Sequence, residues 1–268
     1  MPASSAPLIV SITTLPSRIA EMRPALESLL ANRQGPDKIF VPLPAISLRE
    51  KCGYTLPDFL RSSDFCGDII EVVPVERDWG PGTKLLGALN RLPAETCLVV
   101  ADDDVRYRPD FLHGLASAQA ADHSASFSYH TYINDGVTIG QGCDGFSFWT
   151  PNLDGIAAFA ATHVQDTPLL FHDDLWISFF LATRGIAIKE IHRPDGQPVY
   201  DIMHQINPLN MLSGEFARGT IRRQGLRRLL RDVDMTPSRR RELTAARWRD
   251  KLWHAPLRRI RRHLAKHS

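Results

Sequence analysis

Thr96-Cys97-Leu98-Val99-Val100-Ala101-Asp102-Asp103-Asp104 sets an uncharged, largely apolar run directly before three carboxylates. A run with no polar alternation suits a strand buried on both faces of a parallel sheet. Open parallel sheets gather their ligands at the carboxyl ends of their strands, which is where these acids fall. Upstream, Leu8–Thr13 reads as a strand. Ser17–Asn32 reads as a helix with Ile19, Met22, Leu26, Leu29 and Leu30 on one face. Pro24 is tolerated only in a first turn, which moves that helix start toward Arg23. Lys38–Val41 and Asp68–Val73 read as strands and Thr83–Arg91 as a short helix. Strand–helix alternation of this kind predicts an α/β fold: a mostly parallel central sheet flanked by helices.

Downstream the pattern changes. Ser126–Ile133 alternates aromatic and polar residues, as a half-exposed or antiparallel strand does. Leu153–His163 and His172–Arg184 read as helices, the second ending at Gly185, and Ile186–Ile191 reads as another strand. From Glu215 the pattern is helical and arginine-rich, broken at Pro237 and Pro256. Residues 1–214 carry 15 Lys/Arg against 25 Asp/Glu, a balance of −10, whereas residues 215–268 carry 17 against 5, a balance of +12. The boundary is therefore placed after residue 214, between a main domain (1–214) and a basic helical C-terminal segment (215–268). The pairs Arg222-Arg223, Arg227-Arg228, Arg258-Arg259 and Arg261-Arg262 alternate with Leu, Ile and Trp at helical spacing. An anionic membrane surface suits such a segment, with folding back onto the acidic domain as the plain alternative. It lacks the fold motifs of a nucleic-acid module, so no nucleic-acid partner is expected.

At 268 residues and 43% hydrophobic, the chain can bury one large core. Cys52, Cys66, Cys97 and Cys143 form no CxxC pair and no zinc spacing, so they read as free thiols of a reducing compartment. No basic stretch followed by an apolar one opens the chain, and no run is long enough to cross a bilayer. A cytoplasmic protein is expected, peripheral at the inner face of a membrane if the basic segment docks there.

Three adjacent acids repel one another unless a cation relieves them, and a hard divalent ion such as Mg²⁺ or Mn²⁺ takes oxygen ligands together with substrate phosphates. The competing reading of Asp102–Asp104 is a solvated acidic turn. His172-Asp173-Asp174 opens a helix, where acids also serve as caps and dipole partners. A second carboxylate cluster equally suits proton abstraction from an incoming hydroxyl. Arg77-Asp78-Trp79-Gly80-Pro81-Gly82-Thr83-Lys84 is a bent loop entering a helix; Lys84 either meets a phosphate there or is a surface lysine. Leu85 stands where a Walker A loop needs Ser or Thr. Gly140-x-Gly142-x-x-Gly145 satisfies the dinucleotide fingerprint only formally, since Phe146-Ser147-Phe148-Trp149 follows rather than a helix. That loop packs on a sugar ring or is a structural turn. His204 is a candidate metal ligand or a structural histidine.

Taken together these pieces resemble the GT-A glycosyltransferases, in particular the bacterial family-2-like branch. The matching elements are Ser11-Ile12-Thr13-Thr14-Leu15-Pro16-Ser17-Arg18, the Gly-Pro-Gly-Thr-Lys loop, Asp102–Asp104 in the DXD position and His172-Asp173-Asp174 in the acidic-pair position, in family order over residues 8–205. The resemblance implies a hexosyltransferase-type enzyme of the kind used in polysaccharide biosynthesis. Its donor would be a nucleotide-diphosphate sugar, most often a UDP-sugar, and its acceptor a hydroxyl on a glycan or lipid-linked saccharide. It implies Mn²⁺ or Mg²⁺ on the donor phosphates, held by Asp104 with Asp102 and by His204 as the late metal-binding histidine. It implies donor binding by Thr13, Arg18, Lys84, Asp102 and Asp103, and a general base at Asp174 or Asp173 in an inverting displacement. The pair is Asp-Asp where the family more often has Glu-Asp, which leaves the choice of base open. The alternatives are a nucleotidyltransferase, against which the Thr-Thr-Leu-Pro-Ser-Arg turn after the first strand counts, and a non-catalytic carbohydrate-binding relative of the same fold.

Overall fold

A computed structural model of the chain describes residues 6–203 and 217–249. Its strands are β1 (Leu8–Ile12), β2 (Lys38–Pro44), β3 (Ile70–Val75), β4 (Cys97–Ala101), β5 (Val105–Tyr107), β6 (Ala125–Ser128), β7 (Thr131–Asn134), β8 (Val137–Gly140), β9 (Phe146–Trp149), β10 (Ala187–Glu190) and β11 (Tyr200–Ile202). Its helices are α1 (Arg23–Leu30), α2 (Asp58–Arg61), α3 (Ser63–Cys66), α4 (Thr83–Leu86), α5 (Phe111–Ala121), α6 (Ile156–His163), α7 (Asp173–Thr183) and α8 (Arg218–Asp232), and residues 237–249 are also helical.

Seven strands form the central sheet in the order β10-β6-β9-β4-β1-β2-β3. All neighbours run parallel except β9, which is antiparallel to both β4 and β6. Every residue of β1 and β4 is buried, as their unalternating apolar runs require. One apolar cluster covers each face of the sheet: Met22, Leu26 and Leu29 belong to one, and Trp176, Phe179 and Leu181 to the other.

The order β4-β1-β2-β3 contains the reversal that creates a ligand-binding crevice, because connections leave β1 toward β2 on one side while β4 lies on the other. The register pairs Ile12 with Ala101, so Thr13 and Asp102 are the first residues beyond the paired ends of the two central strands. The topology thus brings two loops 89 residues apart in sequence to one edge.

Pro24 occupies the first turn of α1, and the preceding residues Ile19–Glu21 make only a 3₁₀ turn, so the helix is shorter than its periodicity suggests. The segment 83–91 is likewise split, into α4 and a 3₁₀ turn at Leu89–Arg91. The single strand expected over Ser126–Ile133 is two strands in different sheets: β6 joins the central sheet, and β7 pairs with β8 in a hairpin. The turn of that hairpin is Asp135-Gly136, both at positive φ (48° and 83°), the Asp-Gly geometry that two-residue hairpins favour. Helix α8 buries Ile221, Leu226 and Leu229 in the same cluster as Leu169 and Trp176.

Candidate active site

Three chain segments meet at the β1/β4 edge. The first is the turn after β1, from which Arg18 reaches across to the acidic triplet. Its guanidinium bonds both oxygens of Asp103, with Nε at 3.1 Å from Oδ2, and Nη1 lies 3.2 Å from Asp104 Oδ2. Thr14 donates its hydroxyl proton to the same Asp103 carboxylate. Asp103 is only 3% exposed, and burial pushes its carboxyl up to about 6 against the opposing pull of Arg18 and Thr14. The middle acid of the triplet therefore points inward and ties β4 to the β1 turn, while Asp102 and Asp104 flank it. Burial and then repulsion from Asp102 raise the Asp104 carboxyl above its ordinary range, with Arg18 pulling the other way.

The second segment delivers Lys84. Asp78 organises the loop: Oδ1 accepts from Gly80 N at 2.7 Å and from the Thr83 hydroxyl at 3.1 Å, and Oδ2 accepts from Leu48 N at 2.7 Å. Gly80 has φ +58°, and a Cβ there would stand 2.8 Å from the Leu170 carbonyl oxygen, so the bend packs closely on the segment leading into α7. A surface lysine is the reading that fails here: Lys84 is 3% exposed. Its ammonium lies 2.6 Å from Asp102 Oδ1 and 3.2 Å from Asp173 Oδ2. Burial alone would pull this ammonium down, but the attraction of Asp102, Asp173 and Asp174 outweighs it and holds Lys84 well above the usual lysine value. Lys84 is thus the cationic link between the two acidic clusters.

The third segment is the start of α7. This helix is buried from Asp173 through Leu181, apolar nearly all round, as a helix inside a molecule must be. Its two acids are buried too, and Gly142 N donates to Asp174 Oδ1 at 2.9 Å. A Cβ on Gly142 would lie 2.8 Å from Lys84 Nζ, so the glycine loop is a close structural neighbour of the charged cluster.

Thr13, Arg18, Lys84, Asp102, Asp103, Asp104, Asp173 and Asp174 all line one cavity of about 220 Å³. His204 lies outside the described residues. Arg49, Tyr54, Cys143 and Tyr200 line the same cavity and were not singled out from sequence. Tyr54 donates to the Thr14 carbonyl at 3.0 Å, and Tyr200 enters through the β5–β11 pairing with Tyr107. These contacts span long sequence separations and leave no local signal. Burial and nearby Asp102 hold the Cys143 thiol far above its ordinary value, which disfavours the thiolate.

The cavity wall carries six carboxylates (Asp78, Asp102, Asp103, Asp104, Asp173, Asp174) against three cations (Arg18, Arg49, Lys84). Among the described residues no group of three His, Cys, Asp or Glu side chains is arranged to hold a metal by itself. Mg²⁺-type sites need only one or two carboxylates, with phosphates and water completing the shell. The hard oxygens of Asp102 and Asp104, mutually repelling and within an acidic excess, fit that requirement.

No protein-family model matches the chain, and no curated protein matches its sequence. Solved structures resemble it in fold, among them the following two. One is the mannosyltransferase PcManGT from Pyrobaculum calidifontis in complex with GDP-Man and Mn²⁺, at TM-score 0.54 and 16% identity over 95% of this chain and 76% of that one. The other is S. aureus TarS 1–349 in complex with UDP-GlcNAc, at TM-score 0.58 and 13% identity over 89% of this chain and 70% of that one. At such identities the likeness is one of fold: an α/β sheet, mostly parallel, flanked by helices.

Proposed function

We propose that the chain is a GT-A-type, family-2-like glycosyltransferase of the hexosyltransferase kind, moving a sugar from a nucleotide-diphosphate donor to a hydroxyl of a glycan or lipid-linked acceptor. The observation that carries this reading is the convergence of Arg18, Lys84 and both acidic clusters on one cavity at the switch point of the sheet. The fold shared with proteins solved with GDP-Man and with UDP-GlcNAc supports a nucleotide-sugar donor. Thr13 and Arg18 lie by the nucleotide, and Asp102 and Asp103 complete the donor side. Mn²⁺ or Mg²⁺ would be held by Asp104 with Asp102, where it would supply charge neutralisation at the donor diphosphate. His204 remains a candidate further ligand.

The reaction is an inverting displacement. The acceptor oxygen forms its bond to the anomeric carbon as the bond to the diphosphate oxygen breaks, and the acceptor proton passes to a carboxylate. Asp174 is that base. Asp173 is engaged by Lys84 at 3.2 Å, whereas Asp174 is oriented by the Gly142 N–H at 2.9 Å. The Lys84 ammonium, fixed before the reaction begins, offsets charge growing on the leaving diphosphate.

The decisive experiment follows the melting temperature with UDP, GDP and their sugars, with and without Mn²⁺, alongside donor turnover. The wild type should melt higher with one nucleotide diphosphate plus Mn²⁺. Asp104→Asn should abolish turnover and the Mn²⁺-dependent shift while keeping the native circular dichroism. Full activity in that variant removes the metal assignment, and no shift with any nucleotide removes the donor reading. Binding without turnover identifies a non-catalytic relative.

Residues 215–268 are proposed as a basic segment that rests a cytoplasmic enzyme on anionic lipid. Arg223, Arg227, Arg228 and Arg231 are exposed on α8, and Trp248 is 61% exposed. Among the described residues no helix is long and apolar enough to cross a membrane.

A further inference from the structure

Helix α8 is arginine-rich, yet one of its arginines turns inward. Arg222 Nε lies 3.1 Å from His172 Nε2, and His172 is 1% exposed. His172 is the residue immediately before Asp173 and Asp174, and at the start of α7 its carbonyl accepts from Leu175 N at 3.1 Å and Trp176 N at 3.4 Å. A guanidinium has only donors, so Nε2 is the acceptor in this bond, which in the neutral ring leaves the proton on Nδ1. Arg222 is itself held from two sides. Its guanidinium carbon lies 4.6 Å from the centroid of the Tyr132 ring, and its carbonyl accepts from Asn134 Nδ2 at 3.1 Å. Three residues on, Gly225 lets α8 close against the segment that leads into His172: a Cβ there would stand 2.5 Å from Leu169 Cδ2.

We propose that Arg222 is a positioning residue for the acidic pair, acting through His172, so that the carboxylate site is completed by helix α8. This rests on the reading of Asp174 as the base. The physical chain is short. Arg222 fixes the tautomer and rotamer of the His172 ring, and the ring fixes the backbone at the N-cap of α7. That backbone sets where Asp174 meets the Gly142 N–H and where Asp173 meets Lys84. Carboxylates on a rigid helix start lose catalytic geometry when the cap turns, even if the fold survives.

The test uses the full-length protein with Arg222→Ala, Arg222→Lys and, as a control one residue along, the exposed Arg223→Ala. Imidazole ¹⁵N spectra, with His172 assigned through His172→Gln, should show a protonated Nδ1 and a bare Nε2 in the wild type. Arg222→Ala should change that pattern and move the Gly142 amide resonance; Arg223→Ala should do neither. With a donor sugar, Arg222→Ala should lower kcat about 10- to 100-fold with KM for the donor unchanged. Arg222→Lys, which can still donate one bond, should recover part of the loss. A wild-type His172 protonated on Nε2 overturns the proposal, as does an unmoved Gly142 amide or an unchanged kcat in Arg222→Ala. Loss of donor binding and melting temperature in step with kcat makes the role merely structural and also overturns it. If the wild type transfers no sugar at all, the glycosyltransferase reading fails, while the tautomer and the Gly142 amide still decide the link.

Discussion

Lys84 is the residue whose environment says most about the site. Its neighbours in sequence, Thr83 and Leu85, carry no hint of a charge network, yet its ammonium joins an acid just past β4 to one that opens α7. Removing one partner of a buried ion network leaves uncompensated charge, at a cost of about 3–5 kcal/mol. Lys84→Ala should therefore lower the urea midpoint by a corresponding amount and abolish donor turnover. A stability change below about 1 kcal/mol would show that these carboxylates find other relief. The acids themselves were legible because each lies in a local pattern, one triplet after a buried strand and one pair opening a helix. Arg49, Tyr54 and Tyr200 were not, because loops and a distant strand pairing carry them in. His172 was legible as a helix opener, but its partner Arg222 lies 50 residues away.

At the scale of elements, α7 shows how far local chemistry reaches. The helix ends in a Schellman arrangement, with Ile186 N bonded to the Leu181 carbonyl at 3.0 Å and Gly185 at φ +77°. Gly185 was readable as the helix terminator. Gly145 has almost the same φ, +79°, but different surroundings: a Cβ there would meet Phe111 Cε2 at 2.4 Å, whereas Gly185 has nothing within 4 Å. Gly185→Ala should cost about 1–2 kcal/mol from the left-handed backbone alone. Gly145→Ala should cost that plus about 1–3 kcal/mol of overpacking. Denaturant titration of the two variants checks the difference, and equal losses would mean the Phe111 side yields freely. The stretch 126–133 was misread for a related reason. Its alternation slips by one residue at His130-Thr131, and pairing of β6 with β9 and β10, and of β7 with β8, divides it there. The Asp135-Gly136 turn was the local signal that would have revealed the hairpin.

For the whole molecule, the question is how the basic segment relates to the rest. Ile221, Leu226 and Leu229 are buried against the α7 side of the core, and burying a side chain of this size contributes about 1.5–3 kcal/mol. Ending the chain at residue 216 should therefore lower the melting temperature and expose apolar surface to a dye such as ANS. A truncated protein that melts like the full chain would mean α8 is dispensable. The exposed arginines of α8 are a separate matter. Arg227 and Arg247 both approach Asp135, at 4.0 and 3.5 Å, so part of the charge is answered internally. The membrane reading predicts salt-sensitive binding to anionic vesicles and none to neutral ones. Equal binding to both, or to neither, counts against it.

By itself the sequence determined what depends on neighbours along the chain: the buried strand ahead of Asp102, the alternation that builds a parallel sheet, the acids that open α7 and the glycine that closes it. Backbone periodicity and helix termini are short-range physics, so they are written locally. Tertiary structure alone decided which acid points inward to Arg18, that Lys84 bridges both clusters, and that Arg222 reaches His172. Those outcomes depend on strand order and on loops meeting across the sheet, where burial strips away water and leaves each charge to find a partner from elsewhere in the chain.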